Sequence, residues 1–133
     1  MARDRVRAAG KGEEEIRLAT ALAAQAEDRV QDARICEGKT HLTWPLQGIG
    51  FGPIALLSIP GEPFAGLNHR IVGSSPFAQT LFSGYSNGGF DYLPPRETLA
   101  EGGFEVETSP FAPEAGDRLV DESLGVLTDL TAA

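Results

Sequence analysis

The run Ile54-Ala55-Leu56-Leu57-Ser58-Ile59 stops at Pro60-Gly61-Glu62-Pro63-Phe64, and this junction constrains the fold more than any other stretch. A strand-sized, nearly continuous apolar run reads as a buried strand. The Pro-Gly pair then ends it in a tight turn. A carboxylate, Glu62, is therefore presented at a sheet end, where loops held by a rigid scaffold commonly build sites. Upstream, Gly48-Ile49-Gly50-Phe51-Gly52-Pro53 reads as a strand and turn leading into the same run, a hairpin. Three glycines at this spacing also suggest a phosphate-cradling loop. That reading fails, because the spacing differs from a dinucleotide fingerprint and a strand, not a helix, follows.

The rest of the chain alternates between helical and extended patterns. Ile16, Ala19, Ala23, Ala26, Val30 and Ala33 recur at three- and four-residue steps, which predicts an amphipathic helix from Glu13 to about Ala33. Glu13 to Glu15 fall in its first turn, favourable at the positive end of the helix dipole. His41 to Leu46 alternates as a strand, with Pro45 at an edge or bulge. Pro63 to Val72 predicts a short helix with Pro63 in its first position. Ala78 to Tyr85 reads as a strand, and Pro95 to Glu101 as the start of another short helix. Leu119, Val120, Ser123, Leu124, Leu127 and Leu130 mark a helical face from about Ala115 to Leu130. The expected class is mixed α/β: a mixed sheet of short strands with flanking helices, Ile54–Ile59 beside Ala78–Tyr85. Residues 1–12, polar and Arg-rich, are expected to be disordered, and 13–133 to form the domain.

Charge and cysteine content exclude several classes. Residues 1–85 hold nine acidic and nine basic side chains, whereas residues 86–133 hold ten acidic and two basic, Arg96 and Arg118. The whole net charge of −8 thus lies in the C-terminal third, which argues against nucleic acid as a partner. No apolar stretch has the length of a membrane span. The N-terminus carries no apolar signal-peptide core, and a single cysteine, Cys36, forms no internal disulfide framework; together these favour the cytoplasm. Cys36 itself reads as a free thiol at a helix end rather than a nucleophile.

Three segments carry candidate chemistry: Pro60-Gly61-Glu62, then Asn87-Gly88-Gly89-Phe90-Asp91-Tyr92-Leu93-Pro94-Pro95, then Gly102-Gly103-Phe104-Glu105. By residue type alone, Glu62 is a zinc ligand, a general base or a turn glutamate on the surface. Tyr92 is a phenolate ligand or a packed aromatic beside a proline turn. In their order, over about residues 38–130, these segments resemble the last part of the catalytic domain of the neutral/alkaline ceramidases, a family of zinc amidohydrolases. The resemblance implies an incomplete portion of a larger domain. In that family a Pro-Gly-Glu turn supplies a glutamate to the catalytic zinc, which maps to Glu62. A tyrosine followed by an aliphatic residue and two Thr or Pro residues supplies a further ligand, which maps to Tyr92. Arg70 matches a basic position in the helix that follows the glutamate, and Tyr85 is a candidate for the core or for the surroundings of the metal.

Two departures from the family pattern follow. Phe104 stands where the family usually has a tyrosine able to donate to an oxyanion; loss of one such donor costs about 10²- to 10³-fold in rate. The family also takes two histidine ligands from motifs in the first half of its domain. This chain has only His41 and His69, neither in such a motif. Each reads as a surface or hydrogen-bonded histidine, or as one recruited to rebuild a site. The resemblance thus implies a zinc-dependent hydrolase of the N-acyl amide of ceramide-type lipids that is inactive alone. A separate N-terminal half would supply the two histidines. A non-catalytic remnant or binding module of the same fold is the alternative. An incomplete domain would leave a sheet edge and an apolar surface uncovered, favouring homo-oligomers.

Overall fold

The computed structural model describes residues 12–38, 41, 43–88 and 91–132. The chain divides into two units, Met1–Leu42 and Thr43–Ala133. Among the described residues the fold is mixed α/β, with four α-helices and short strands. No helix among them is long and apolar enough to cross a membrane. The expected disorder of residues 1–12 falls almost entirely outside the described residues.

The first unit contains one long helix, α1 (Glu13–Cys36). Glu13, Glu14 and Glu15 occupy its first turn and Arg34 its last, each sign complementing the helix dipole. The backbone N–H of Gly12 donates to the Glu15 carboxylate at 3.1 Å, and Arg17 pairs with Glu13 one turn back at 3.2 Å. These contacts are local and exposed, each worth a few tenths of a kcal/mol. The apolar period is present, but Leu18, Leu22 and Val30 are all more than half exposed. None of the described side chains of α1 is buried.

The second unit is built on β2 (Ile54–Ser58), the predicted apolar strand. It pairs antiparallel with β1 (Gln47–Phe51) through the Gly52-Pro53 turn, and parallel with β4 (Gln79–Ser83), giving the order β1-β2-β4. Gly52 sits at φ +58°, the left-handed conformation that glycine adopts at little cost. Between β2 and β4 the chain makes a crossover through β3 (Glu62–Pro63) and α2 (Ala65–Ser74). After β4 come β5 (Tyr92–Leu93), a 3₁₀ turn at Arg96–Thr98, the single-turn α3 (Phe104–Glu107) and α4 (Ala115–Thr131).

Strand alternation decides which face is covered. Ala55, Leu57 and Ile59 point one way and form a buried cluster with Leu67 and Ile71 of α2 and Leu119, Val120 and Leu127 of α4. The strand partners of Ala55 and Leu57 on β1 are Gly50 and Gly48. A Cβ on Gly48 would lie 2.7 Å from Leu130 Cδ1 and 2.8 Å from Val126 Cγ1, so glycine is what lets α4 approach β1. The opposite face carries a row of Ile49, Leu56 and Leu81 across all three strands. Ile49 and Leu81 are about half exposed there, and Phe51, next on β1, is 55 % exposed. Among the described residues of this unit, β1 and β4 are the edge strands of the three-stranded sheet.

Several local expectations fail. Residues 43–46 form no strand: Pro45 withholds a donor, and the chain first pairs at Gln47 (Leu42 lies outside the described residues). Pro63 does not open a helix. It pairs with Leu93, and α2 begins two residues later at Ala65. The helix expected from Pro95 is only the 3₁₀ turn. By contrast α4 matches its predicted face closely, with Leu119, Val120, Ser123 and Leu127 all buried.

Candidate functional site

Glu62 and Tyr92 meet because β3 and β5 pair in parallel with Glu62 opposite Tyr92 and Pro63 opposite Leu93. Each strand is two residues long, so the pairing depends on its flanks. The Glu62 N–H donates to the Asp91 carbonyl at 3.4 Å and the Phe64 N–H to the Leu93 carbonyl at 3.1 Å. The Pro60-Gly61 turn delivers Glu62 straight from the core strand, with Gly61 buried at φ +77°. Pro60, Pro94 and Pro95 are buried too, which stiffens both approaches.

A third side chain joins them. The Tyr85 hydroxyl donates a hydrogen bond to Glu62 Oε2. Tyr85 is 63 % exposed, which removes the core reading and leaves the one beside Glu62. Its backbone is in the left-handed region at φ 51°, uncommon for a bulky residue. The Tyr85 N–H donates to the Gly61 carbonyl at 2.8 Å and the Ser86 N–H to the Ile59 carbonyl at 3.0 Å, tying the 84–86 loop to the Glu62 turn.

Tyr92 stands among aromatics. Its ring meets Phe64 edge-on at 6.5 Å and Phe104 edge-on at 6.3 Å. Phe104, at the start of α3 and 57 % exposed, therefore lies against the proposed phenol ligand without a hydroxyl of its own. Arg70 is engaged elsewhere. It pairs with Asp117 of α4 at 2.9 Å, and Arg96 reaches Glu114 at 3.3 Å and Asp117 at 3.7 Å. His69 is exposed on α2, and His41 is exposed in the other unit.

The electrostatics around the two phenols are uniformly negative. The hydrogen bond to Glu62 pushes the Tyr85 phenol up from 10.0 to about 12, with smaller contributions from burial and from Glu62, Tyr92 and Asp91 as charges. The Glu62 charge, then burial, hydrogen bonding to Glu62 and the Glu105 charge raise Tyr92. These two are the chain's only tyrosines, so an absorbance titration reads the site directly. Wild type should show little tyrosinate at pH 10, and Glu62→Gln should move the transition down toward the ordinary value near about 10. A raised phenol pKa stabilises the folded state below pH 10, and that contribution is lost as pH rises through about 12 for Tyr85. Identical titrations of wild type and Glu62→Gln would remove the coupling.

As a donor set, Glu62 and Tyr92 are two oxygen ligands side by side, compatible with zinc. Among the described residues no three His, Cys, Asp or Glu side chains gather closely enough to hold a metal ion. Glu62 and Tyr92, hydrogen-bonded to each other, are by themselves not a complete zinc coordination set. Sequence reasoning paired Glu62 with Tyr92 but missed that Tyr85 binds Glu62 and that Phe64 lines Tyr92. The one available signal was Gly84 before Tyr85, since a Cβ on Gly84 would approach the Gly61 carbonyl to 3.2 Å. Compared with protein-family profiles, curated proteins and solved structures, the chain has no match.

Proposed function

We propose that this chain carries part of a ceramidase-like zinc amidohydrolase centre, with Glu62 and Tyr92 as two oxygen ligands. The substrate class is the N-acyl amide of ceramide-type lipids. The observation that carries the metal reading is the shared rung of Glu62 and Tyr92 on the β3–β5 pair. Surrounding acids support it: Asp91 and Glu105 add negative potential at the phenols, which favours a cation. A bound zinc would lower the pKa of a water and of the Tyr92 phenol, reversing the effect of Glu62. The lipid class rests on the sequence resemblance alone.

Two ligands do not make a tight zinc site, where complete structural sets supply about 10–16 kcal/mol. The two nitrogen ligands would come from the first half of the domain, which lies outside the residues of this sequence. The alternative is a binding module of the same fold, and Phe104 favours it, because it removes a donor hydroxyl beside Tyr92. Metal analysis of the purified chain and a fluorescent N-acyl sphingosine assay test the proposal. Zinc should be sub-stoichiometric after dialysis and turnover absent, while added zinc should bind weakly and lose that binding in Glu62→Ala. Binding indifferent to Glu62→Ala would overturn the metal reading. Stoichiometric zinc with turnover would overturn the partial-site reading and point to His41 or His69 as recruited ligands.

A further inference from the structure

We propose that Asn87 is a site of spontaneous deamidation, held back by its tie to Gln47 and released when the 84–88 loop opens. The inference does not rest on the metal reading of Glu62 and Tyr92. The chain has two asparagines, Asn68 and Asn87, and only Asn87 is followed by glycine. The reaction starts when the next backbone nitrogen attacks the side-chain amide carbon. At Asn87 a bond forms between the Gly88 nitrogen and Cγ, the Cγ–Nδ2 bond breaks, and ammonia leaves with the proton of the Gly88 N–H. One water then opens the cyclic imide at either carbonyl, giving aspartate or its β-linked isomer. Both residues are exposed, and apart from its chain neighbours no atom lies within 4 Å of where a Cβ on Gly88 would stand. Among the described residues no carbonyl accepts the Gly88 N–H, so the attacking nitrogen is accessible.

The folded loop restrains this reaction in two ways. Asn87 sits at φ 61°, in the left-handed region where ψ is about +30 to +60°. At such a ψ the following nitrogen lies across the Cα–C bond from Cβ, so the Gly88 nitrogen and Asn87 Cγ start on opposite sides. The side chain is held as well. Asn87 Nδ2, the nitrogen that departs, donates to Gln47 Oε1 at the start of β1, 40 positions away. Ring closure therefore waits for the loop to open, and local opening of an exposed loop costs far less than global unfolding. Asn68 is the contrast within the same chain. It lies inside α2, partly buried, with the His69 N–H engaged in the helical ladder, so its reaction waits for the helix to unfold. Conversion at Asn87 removes the donor to Gln47 Oε1 and adds a negative charge to the C-terminal third, which already carries the whole net charge. The β-linked isomer also lengthens the main chain between β4 and β5, the strand of Tyr92.

Incubation of the whole chain in mildly alkaline buffer tests this, read by peptide mass mapping and by isoaspartyl methyltransferase labelling. Wild type, Gln47→Ala and Gln47→Glu are compared, with circular dichroism as the check on folding. Aspartate and isoaspartate should accumulate at residue 87 of folded wild type while Asn68 keeps its amide. In urea-unfolded wild type Asn87 should react faster than in the folded chain. Losing a hydrogen bond of ordinary net strength shifts an opening equilibrium about two- to tenfold, so Gln47→Ala should react about two- to tenfold faster at Asn87. Gln47→Glu keeps an acceptor for Nδ2 and should hold the wild-type rate. An Asn87 amide that stays intact in the folded chain while it converts in the unfolded one would overturn the site. Conversion at Asn68 to the same extent as at Asn87 would overturn it too, since the reaction would then follow global unfolding. Gln47→Ala reacting at the wild-type rate would overturn the restraint by Gln47.

Discussion

Leu57→Ala is expected to destabilise the Thr43–Ala133 unit by about 2–5 kcal/mol, the cost of removing a fully buried leucine and leaving its cavity. Leu57 is fully buried in β2, paired with Gly48 on one side and Phe82 on the other. Domains of this kind hold about 5–15 kcal/mol in all, so the loss takes a large share. Leu56→Ala provides the comparison, since Leu56 lies on the open face of the same strand and is only partly buried. Its loss should be well below half that of Leu57→Ala. Urea unfolding of the two variants measures the difference, and equal midpoints would show that the assigned face of β2 is wrong. The consequence reaches the site, because β2 runs directly into the Pro60-Gly61 turn that delivers Glu62.

The second large effect is expected at Gly61→Val. At φ +77° a β-branched residue is strained, by about 1–2 kcal/mol, and the position is buried, where an overpacked side chain costs about 1–3 kcal/mol more. The Gly61 carbonyl accepts the Tyr85 N–H, and Gly84 packs against it, so relief of the strain displaces the 84–86 loop. Gly52→Val separates the two contributions. Gly52 has a similar φ of +58° but nothing within 4 Å of its missing Cβ. Gly61→Val should lower the melting temperature clearly more than Gly52→Val. It should also move the tyrosine titration down toward about 10, as Tyr85 parts from Glu62. A tyrosine titration unmoved in Gly61→Val, or moved equally in Gly52→Val, would contradict the coupling.

The legible parts of this fold were those with a long enough pattern. The apolar run Ile54–Ile59 announced β2, the Gly52-Pro53 turn announced its hairpin with β1, and the face Leu119–Val120–Ser123–Leu127 announced α4. The period of α1 was equally clear, yet no described side chain of it is buried; periodicity reports a helix and not what the helix packs on. His41–Leu46 alternated well, but residues 43–46 find no strand partner, and alternation without a partner does not make a strand. Pro63 had the right chemistry for a helix start and was taken instead by pairing with Leu93, a contact thirty residues away in sequence.

The site shows the same division. Sequence by itself determined that Glu62 ends a buried strand at a Pro-Gly turn, because apolar run, proline and glycine act within a few residues. It also determined that Tyr92 enters a proline-stiffened segment and that Phe104 lacks a hydroxyl. Only the tertiary structure decided that Glu62 and Tyr92 share a rung, that Tyr85 binds the carboxylate, and that Phe104 stands edge-on to Tyr92. Strands of two residues carry no period to read. Their register is set by backbone hydrogen bonds at their ends and by the left-handed turns at Gly61 and Tyr85, which place together residues 23 to 30 positions apart only once the core beneath them has formed.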